Sequence, residues 1–178
     1  MIMTVDELKE YVDTGAVKDK VLEAKLQALE LLIRKYTNNN FQDRNRRFIA
    51  PVDVATGFQY ASDLFKAGDT VQVSESHYND GLYTIKAVDM DNGHIEANEE
   101  LVSEPVAMVT KIVYPMDIKL GVANMLSWDL NNRDKVGVQS ETISRHSVTY
   151  FNMDGDNSLM GYPKSLLGFL RPYMKARF

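Results

Sequence analysis

Apolar residues repeat at helical spacing in the first forty residues. Thr4 and Glu7 form a capping box at the start of a short helix, because each side chain can satisfy a backbone N–H of the other residue. A longer helix is predicted from Asp19, which is expected to cap it, to about Asn38. Its apolar residues fall on one face, as in an amphipathic helix: Leu22, Leu26, Leu29, Ile33 and Tyr36.

The last third of the chain has the same helical spacing in two further segments. Pro115 is suited to the first turn of a third helix, which runs to about Leu130 with Ile118, Val122 and Met125 on its apolar face. Pro163 opens a fourth helix that Pro172 limits, and leucines form its core-facing side: Leu166, Leu167 and Leu170. Between these helices, residues 136–151 are predicted to be extended or to form a hairpin.

After Phe65 the apolar residues recur every second position, as in a strand, and no longer with the helical period of 3.6 residues. Residues 70–73 and 83–88 alternate between apolar and polar side chains, and Asn79-Asp80-Gly81 and Asp91-Asn92-Gly93 are typical tight turns. Short strands separated by such turns predict a small SH3-like β-barrel over residues 61–114.

Residues 41–60 show neither period clearly. Three arginines, at positions 44, 46 and 47, lie between Phe41 and Phe48. Aromatic residues interleaved with arginines are typical of nucleic-acid contacts. They also fit a solvated loop held by two aromatic anchors, and the loop is favoured because nothing else nearby is basic.

Composition narrows the functional classes. The 178 residues suit one domain, or one domain with an insert, and the absence of cysteine excludes disulfides, cysteine zinc sites and a cysteine nucleophile. No signal peptide or membrane-spanning stretch is recognisable. The net charge of −5 is unevenly spread: residues 61–110 hold two lysines and ten acidic residues, whereas the segment from Leu159 onwards holds four basic residues and no acidic one. This balance disfavours general nucleic-acid binding.

The sequence contains no convincing catalytic or metal-binding pattern. His77, His94 and His146 are far apart, and no nucleophile-elbow or phosphate-loop motif is present. The segments that begin at Asp89 and Asp154 imitate calcium loops but lack the glycine at position six, so they are interpreted as turns. We therefore expect no enzyme activity, no cofactor and no metal.

Three stretches carry a family resemblance. They are MTVDELKEYV with AKLQALELLIRKYTNNNF, FKAGDTVQV with NDGLYTIKAV, and SETISRHSVTYFN with GYPKSLLGFLRPYMKARF. In this order they resemble the head–tail connector (adaptor) proteins of long-tailed bacteriophages. The last pair is the most telling, with a Ser-Val-Thr-Tyr strand followed by Tyr-Pro and a leucine-rich helix. The β insert is where this chain departs from the family, because smaller members connect the second and third helices by a shorter segment.

The resemblance implies an α+β fold. Residues 1–60 and 115–178 would form a mainly α-helical connector core of about four helices, with the small SH3-like barrel of residues 61–114 inserted. It also implies a structural virion protein at the neck of the particle, assembled in the host cytoplasm. Family members form a ring, commonly a dodecamer, below the portal protein and bridge it to stopper or tail-completion proteins. Genomic DNA passes through the ring without specific binding, and no membrane is involved.

The resemblance and the charge pattern indicate two sets of contact residues. The basic, aromatic C-terminal segment is expected to reach the portal through Tyr173, Lys175, Arg177 and Phe178. Ring contacts are expected at the edges of the second helix and at Ile143, Arg145, Val148 and Tyr150, which are equally compatible with an internal sheet. The alternatives are another neck component, a stopper or tail-completion protein, or more remotely an SH3-like module that binds a peptide or RNA.

Overall fold

The computed structural model describes residues 1–132, 140–143, 146–149 and 157–176. The chain divides into two compact units. One contains Met1 and Asn39–Tyr114, and the other contains Ile2–Asn38 and Pro115–Phe178. The first is a β-barrel and the second carries the helices.

The barrel is a closed antiparallel sheet of six strands. Its strands are β1 (Gln42–Asp53), β2 (Gly57–Phe58), β3 (Thr70–Ser74), β4 (Gly81–Asp89), β5 (His94–Ala97) and β6 (Glu104–Ile112). They follow one another around the barrel in the order β1-β2-β5-β4-β3-β6, and β6 pairs with β1 to close it. Every strand therefore has a partner on both sides, which leaves no open sheet edge.

The expected fold class, a mainly helical core with a small barrel insert, is wrong. In the part of the chain that the structure describes, the closed six-stranded barrel predominates and is accompanied by four helices. The barrel is larger than expected because residues 41–60, interpreted above as a loop, supply β1 and β2. In β1, Phe48, Ala50 and Val52 are buried while the alternate residues face solvent. This alternation is typical of a strand with one side in a core.

Aromatic residues fill the interior of the barrel. The ring of Phe48 stacks on that of Tyr60 with centroids 4.1 Å apart and meets Phe65 edge-on at 5.2 Å. Phe58 is fully buried beside them. Offset-stacked and edge-on ring pairs stabilise a core beyond their buried area. The aromatic residues around the arginine run are thus core residues rather than base-stacking platforms.

The helical unit contains α1 (Val5–Tyr11), α2 (Asp19–Thr37), α3 (Met116–Asn132) and a 3₁₀-helix (Lys164–Tyr173). The Thr4 hydroxyl accepts the Glu7 N–H at 3.1 Å, so the Thr4 half of the predicted capping box is confirmed. The Glu7 carboxylate accepts from the Lys119 ammonium group instead of the Thr4 backbone. Lys18, not Asp19, is the residue before α2, and its side chain makes no capping hydrogen bond. The predicted core residues of α2 are buried except Tyr36, which is half-buried. None of the described helices has the length and hydropathy that a membrane span requires.

Short strands complete this unit. β7 (Ser140–Ile143) and β8 (His146–Thr149) form an antiparallel pair, as the hairpin alternative predicted. β9 (Ser158–Leu159) pairs with β10 (Tyr162–Pro163), directly before the 3₁₀-helix. Gly121 of α3 lies against the ring of Phe169, and a Cβ on it would come within 2.4 Å of that ring. Glycine therefore allows α3 and the 3₁₀-helix to approach closely.

A buried polar network joins loops at one end of the barrel. Asn79 is almost fully buried, and its side chain donates to the Glu104 carboxylate and to the Val102 carbonyl. The Asn79 amide oxygen accepts the Val102 N–H at 2.8 Å, and Glu104 accepts the His77 N–H at 2.8 Å. Burial acts to raise the pKa of Glu104, but these hydrogen bonds outweigh it and hold the pKa below its usual value.

Replacing Glu104 with glutamine is expected to lower the stability of the folded state at neutral pH by about 1–3 kcal/mol, because charge-assisted hydrogen bonds to a buried group are lost. A carboxyl group with a lowered folded-state pKa stabilises the fold above its unfolded pKa, and this contribution disappears as the pH falls through the folded pKa. Urea denaturation at neutral and acid pH should therefore show a difference that shrinks in acid. A constant difference would contradict the assignment.

Candidate interaction surfaces

The described residues do not form a metal site. Among them, no three His, Asp or Glu side chains come close enough to hold a metal ion. The Asp89 segment is a turn, as predicted: its carboxylate accepts the side-chain amide of Asn92 and the backbone N–H groups of Asn92 and Asp91. These hydrogen bonds, that of the Asn92 side chain foremost, lower the pKa of Asp89. The Asp154 segment lies outside the described residues.

The predicted portal-contact residues lie at the C-terminus of the helical unit. The Tyr173 hydroxyl is 2.8 Å from both carboxylate oxygens of Asp117, and the hydrogen bond to this carboxylate raises the pKa of Tyr173. The Lys175 N–H donates to the Thr37 carbonyl at 2.8 Å, while its side chain is exposed. Arg177 and Phe178 lie outside the described residues. The segment is therefore fixed through Lys175 at the C-terminus of α2.

The end of α2 explains this attachment. Asn38 adopts a left-handed conformation, with φ of 49°, and ends the helix. The last carbonyl groups of a helix have no partner within it. Lys175 supplies an N–H to one of them, and the Asn38 side chain donates to the Ala176 carbonyl at 2.7 Å. The backbone of the C-terminal segment thus serves as part of the cap of α2.

The structure describes two of the four predicted ring-contact residues and tests none of them as a contact. Ile143 and Val148 belong to β7 and β8, where Ile143 pairs with His146 and Val148 pairs with Glu141. Arg145 and Tyr150 lie outside the described residues. These four positions stay predicted ring contacts.

α2 has a second apolar stripe on the side that faces solvent. This outer stripe of α2 consists of Val21, Ala24, Ala28 and Leu31, all exposed. Their spacing of three and four residues is that of one helix packing along another. Leu31 is 61% exposed. Lys20 and Lys35 lie on the same side, which carries no acidic residue.

A groove continues from this stripe towards α3. It has a volume of about 340 Å³ and is lined by Lys25, Ala28, Leu29, Leu32, Asp129 and Tyr162. At its edge Lys25 forms an ion pair with Asp129, whose side chain is only 4% exposed. Burial of a carboxylate is costly unless it is paired, so the lysine fixes the wall of the groove. The groove is mostly apolar and could receive a side chain from a neighbouring helix.

α3 also exposes apolar side chains. The outer patch of α3 consists of Met116 and Leu120, which lie one helical turn apart and are 55% and 43% exposed. Three charged residues lie beside it. Asp117 holds Tyr173, and the Lys119 ammonium group is 2.8 Å from the Glu7 carboxylate. The helical unit thus presents apolar side chains on two different helices.

The sequence predicted ring contacts only at the edges of α2, and it did not indicate the outer stripe of α2 or the outer patch of α3. The core series of α2, from Leu22 to Ile33, accounts for its strongest periodicity and hides the outer series. Leu31 is the residue that could have indicated the outer stripe, because it is a large apolar residue that does not fit the spacing of the buried residues of α2. On α3, Met116 and Leu120 are comparable signals.

The chain was compared with protein-family models and with curated proteins, and neither comparison gave a significant match.

Proposed function

We propose that this chain is a ring-forming head–tail connector subunit of a bacteriophage, and that it joins the portal to the next neck protein. One observation carries the proposal: exposed apolar surfaces lie on two different helices of the same unit, α2 and α3. A subunit with two unlike contact surfaces associates head to tail, and such contacts close into a ring when the rotation is suitable. The terminal segments resemble those of connector proteins, and this resemblance supports a position of the ring at the neck of a virion.

The two surfaces are compatible in shape and charge. Ala24 and Ala28 are small and allow another helix to come close, while Met116 and Leu120 are long enough to enter a groove. Lysines accompany the stripe on α2. The charged side chains beside the patch on α3 are one aspartate and one lysine–glutamate pair, so their balance is negative. Pairing the outer stripe of α2 in one copy with the outer patch of α3 in the next removes both from water.

The experiment that tests the function combines the purified protein with the portal protein encoded by the same genome. Sizing chromatography and electron microscopy should show an added ring on the exit side of the portal. A protein that stays monomeric in the mixture and never joins the portal would overturn the connector proposal. An added layer elsewhere in the neck would indicate a stopper or tail-completion protein instead.

Removing residues 175–178 is expected to weaken portal binding by at least about tenfold, on the proposal that this segment reaches the portal and supplies an interface anchor. The same deletion removes the hydrogen bonds of Lys175 to Thr37 and of Asn38 to Ala176. Two hydrogen bonds contribute about 1–3 kcal/mol together, so the free energy of unfolding should fall by that amount. Binding is measured by pull-down with the portal, and stability by urea denaturation.

The variant Lys175→Ala is the matched control, because it keeps the backbone hydrogen bonds and removes only the exposed side chain. It should bind the portal less well while unfolding at the same urea concentration as the original protein. If the truncated protein binds the portal normally, the C-terminal segment is structural and the portal contact lies elsewhere.

A further inference from the structure

The two ends of β1 carry opposite charge. At its start, Gln42 pairs with Ile112 and Arg47 pairs with Thr110, so residues 43–46 stand opposite the single residue Lys111. This bulge exposes Arg44, Arg46 and Arg47, which we call the arginine bulge. These arginines are half of the six basic residues in residues 39–114, which also contain twelve acidic ones.

At the other end of β1, three loops form an acidic surface with exposed apolar residues. The loops are residues 53–57, 75–80 and 98–104, and their sequences contain no lysine or arginine. Lys86 of β4 lies beside the first and third loops, where its charge is balanced by Glu96 at 2.8 Å. They expose Val54, Tyr78 and Val102, with Tyr78 72% exposed. The exposed acidic residues around them are Glu75, Asp80, Glu99 and Glu100. We call these seven residues together the acidic loop end.

Hydrogen bonds hold the three loops in place. The Val54 N–H donates to the Ser103 hydroxyl at 2.8 Å, which joins the first loop to the third. The Asn79–Glu104 network described above joins the second loop to the third. The apolar and acidic side chains therefore project from a fixed base, and a partner would lose little affinity to the ordering of loops.

We propose that the arginine bulge of one copy binds the acidic loop end of the next copy. No hydrogen bond or ion pair joins the side chain of Arg44, or that of Glu100, to a described residue. The Arg46 Nε is 3.5 Å from the Asp43 carboxylate, and the Arg47 Nε donates to the Thr110 hydroxyl at 2.9 Å. A partner with opposite charge would supply the contacts that Arg44 and Glu100 lack.

Apolar groups complement the charges in this contact. Ile49 follows the arginines on the same strand and is 62% exposed. Opposite it, the proposed contact places Tyr78 and Val54, so that each surface combines a few apolar side chains with charges of one sign. This combination of apolar centre and polar rim is typical of protein interfaces.

The geometry of β1 makes the contact intermolecular. Arg47 and Asp53 are six residues apart in one strand, which at about 3.3 Å per residue is about 20 Å. One barrel therefore cannot bring its own bulge to its own loop end. A surface that binds a different surface of an identical copy gives a head-to-tail contact, as a ring requires. This inference rests on the proposed ring function and adds a second subunit contact to it.

A charge-swap experiment on the full chain tests the contact. Arg44→Glu and Glu100→Lys are expected to weaken self-association at least about tenfold each, because each places like charges together. Mixing the two variants should restore association, since each variant then meets an opposite charge on the other. The matched controls are Lys66→Glu and Asp91→Lys, which make the same charge changes at other exposed positions of the barrel. Association is measured by sedimentation velocity, alone and on the portal.

The outcomes separate this inference from the function on which it rests. Restored association in the mixture, lost between about 0.1 M and about 1 M salt as screening increases, supports the charged contact. If the original protein assembles and Arg44→Glu assembles like Lys66→Glu, the inference is wrong and the connector proposal stands. If the original protein assembles neither alone nor on the portal, the connector proposal itself fails.

Discussion

Replacing Leu31 with lysine is expected to abolish ring assembly while the subunit stays folded. Leu31 is the most exposed large apolar residue of α2 and lies in its outer stripe. A lysine there would be buried in an apolar contact, next to a surface that already carries Lys20 and Lys35. The expected cost is more than about 2 kcal/mol for each contact, the size of an interface hot spot. Because every subunit contact of a ring would contain the substituted residue, the loss of free energy would recur at each contact.

Glu23→Gln is the matched control for this variant. Glu23 is exposed on α2 but is not three or four residues from any member of the outer stripe, and the substitution changes the net charge by the same +1. Leucine, lysine, glutamate and glutamine have similar helix propensities, so both variants should unfold within about 0.5 kcal/mol of the original protein. Sedimentation velocity and electron microscopy of the portal mixture measure assembly. Equal assembly of the two variants would exclude the outer stripe of α2 from the ring contact.

The helices could be predicted from the sequence because their apolar residues repeat over many positions. The Thr4 cap and the buried face of α2 follow directly from residue types and spacing. β1 could not be found in that way. Its outward positions hold Arg47, Ile49 and Pro51, so the strand lacks the polar alternation by which half-buried strands are recognised.

The candidate surfaces were partly visible in the sequence. The acidic block and the three arginines are plain in the composition, but the separation of opposite charges at the two ends of β1 depends on strand register. Register is fixed by pairing with β6, which lies about sixty residues away in sequence. The bulge opposite Lys111 is likewise a property of two strands together. Local sequence patterns cannot specify it.

Closure of the barrel depends on its shortest strand. β2 has two residues, yet it connects β1 to β5: Gly57 pairs with Asp53, and Phe58 pairs with both Val52 and Ile95. Gly57 has φ of +91°, a backbone conformation that residues other than glycine rarely adopt. A Cβ at this position would lie 2.2 Å from the carbonyl oxygen of Ile95. The backbone of β5 therefore requires the absence of a side chain here.

Gly57→Ala is accordingly expected to destabilise the barrel by more than about 4 kcal/mol, a large part of the stability of a typical domain. The clash is with backbone, so no rotamer change can relieve it, and moving β2 away exposes Phe58. Urea denaturation measures the loss, and the fluorescence or circular dichroism of aromatic residues reports opening of the core.

Gly68→Ala separates the clash from the backbone strain. Gly68 has φ of +87°, close to that of Gly57, but a Cβ there would meet nothing within 4 Å. Its replacement should cost only the strain of a left-handed residue, about 1–2 kcal/mol. If both variants lost stability equally, the close approach of β2 to β5 would not be what requires glycine. A much larger loss for Gly57→Ala would identify this approach as the point at which the barrel closes. Since the same barrel carries the arginine bulge and the acidic loop end, that variant should also lose the charged contact between copies.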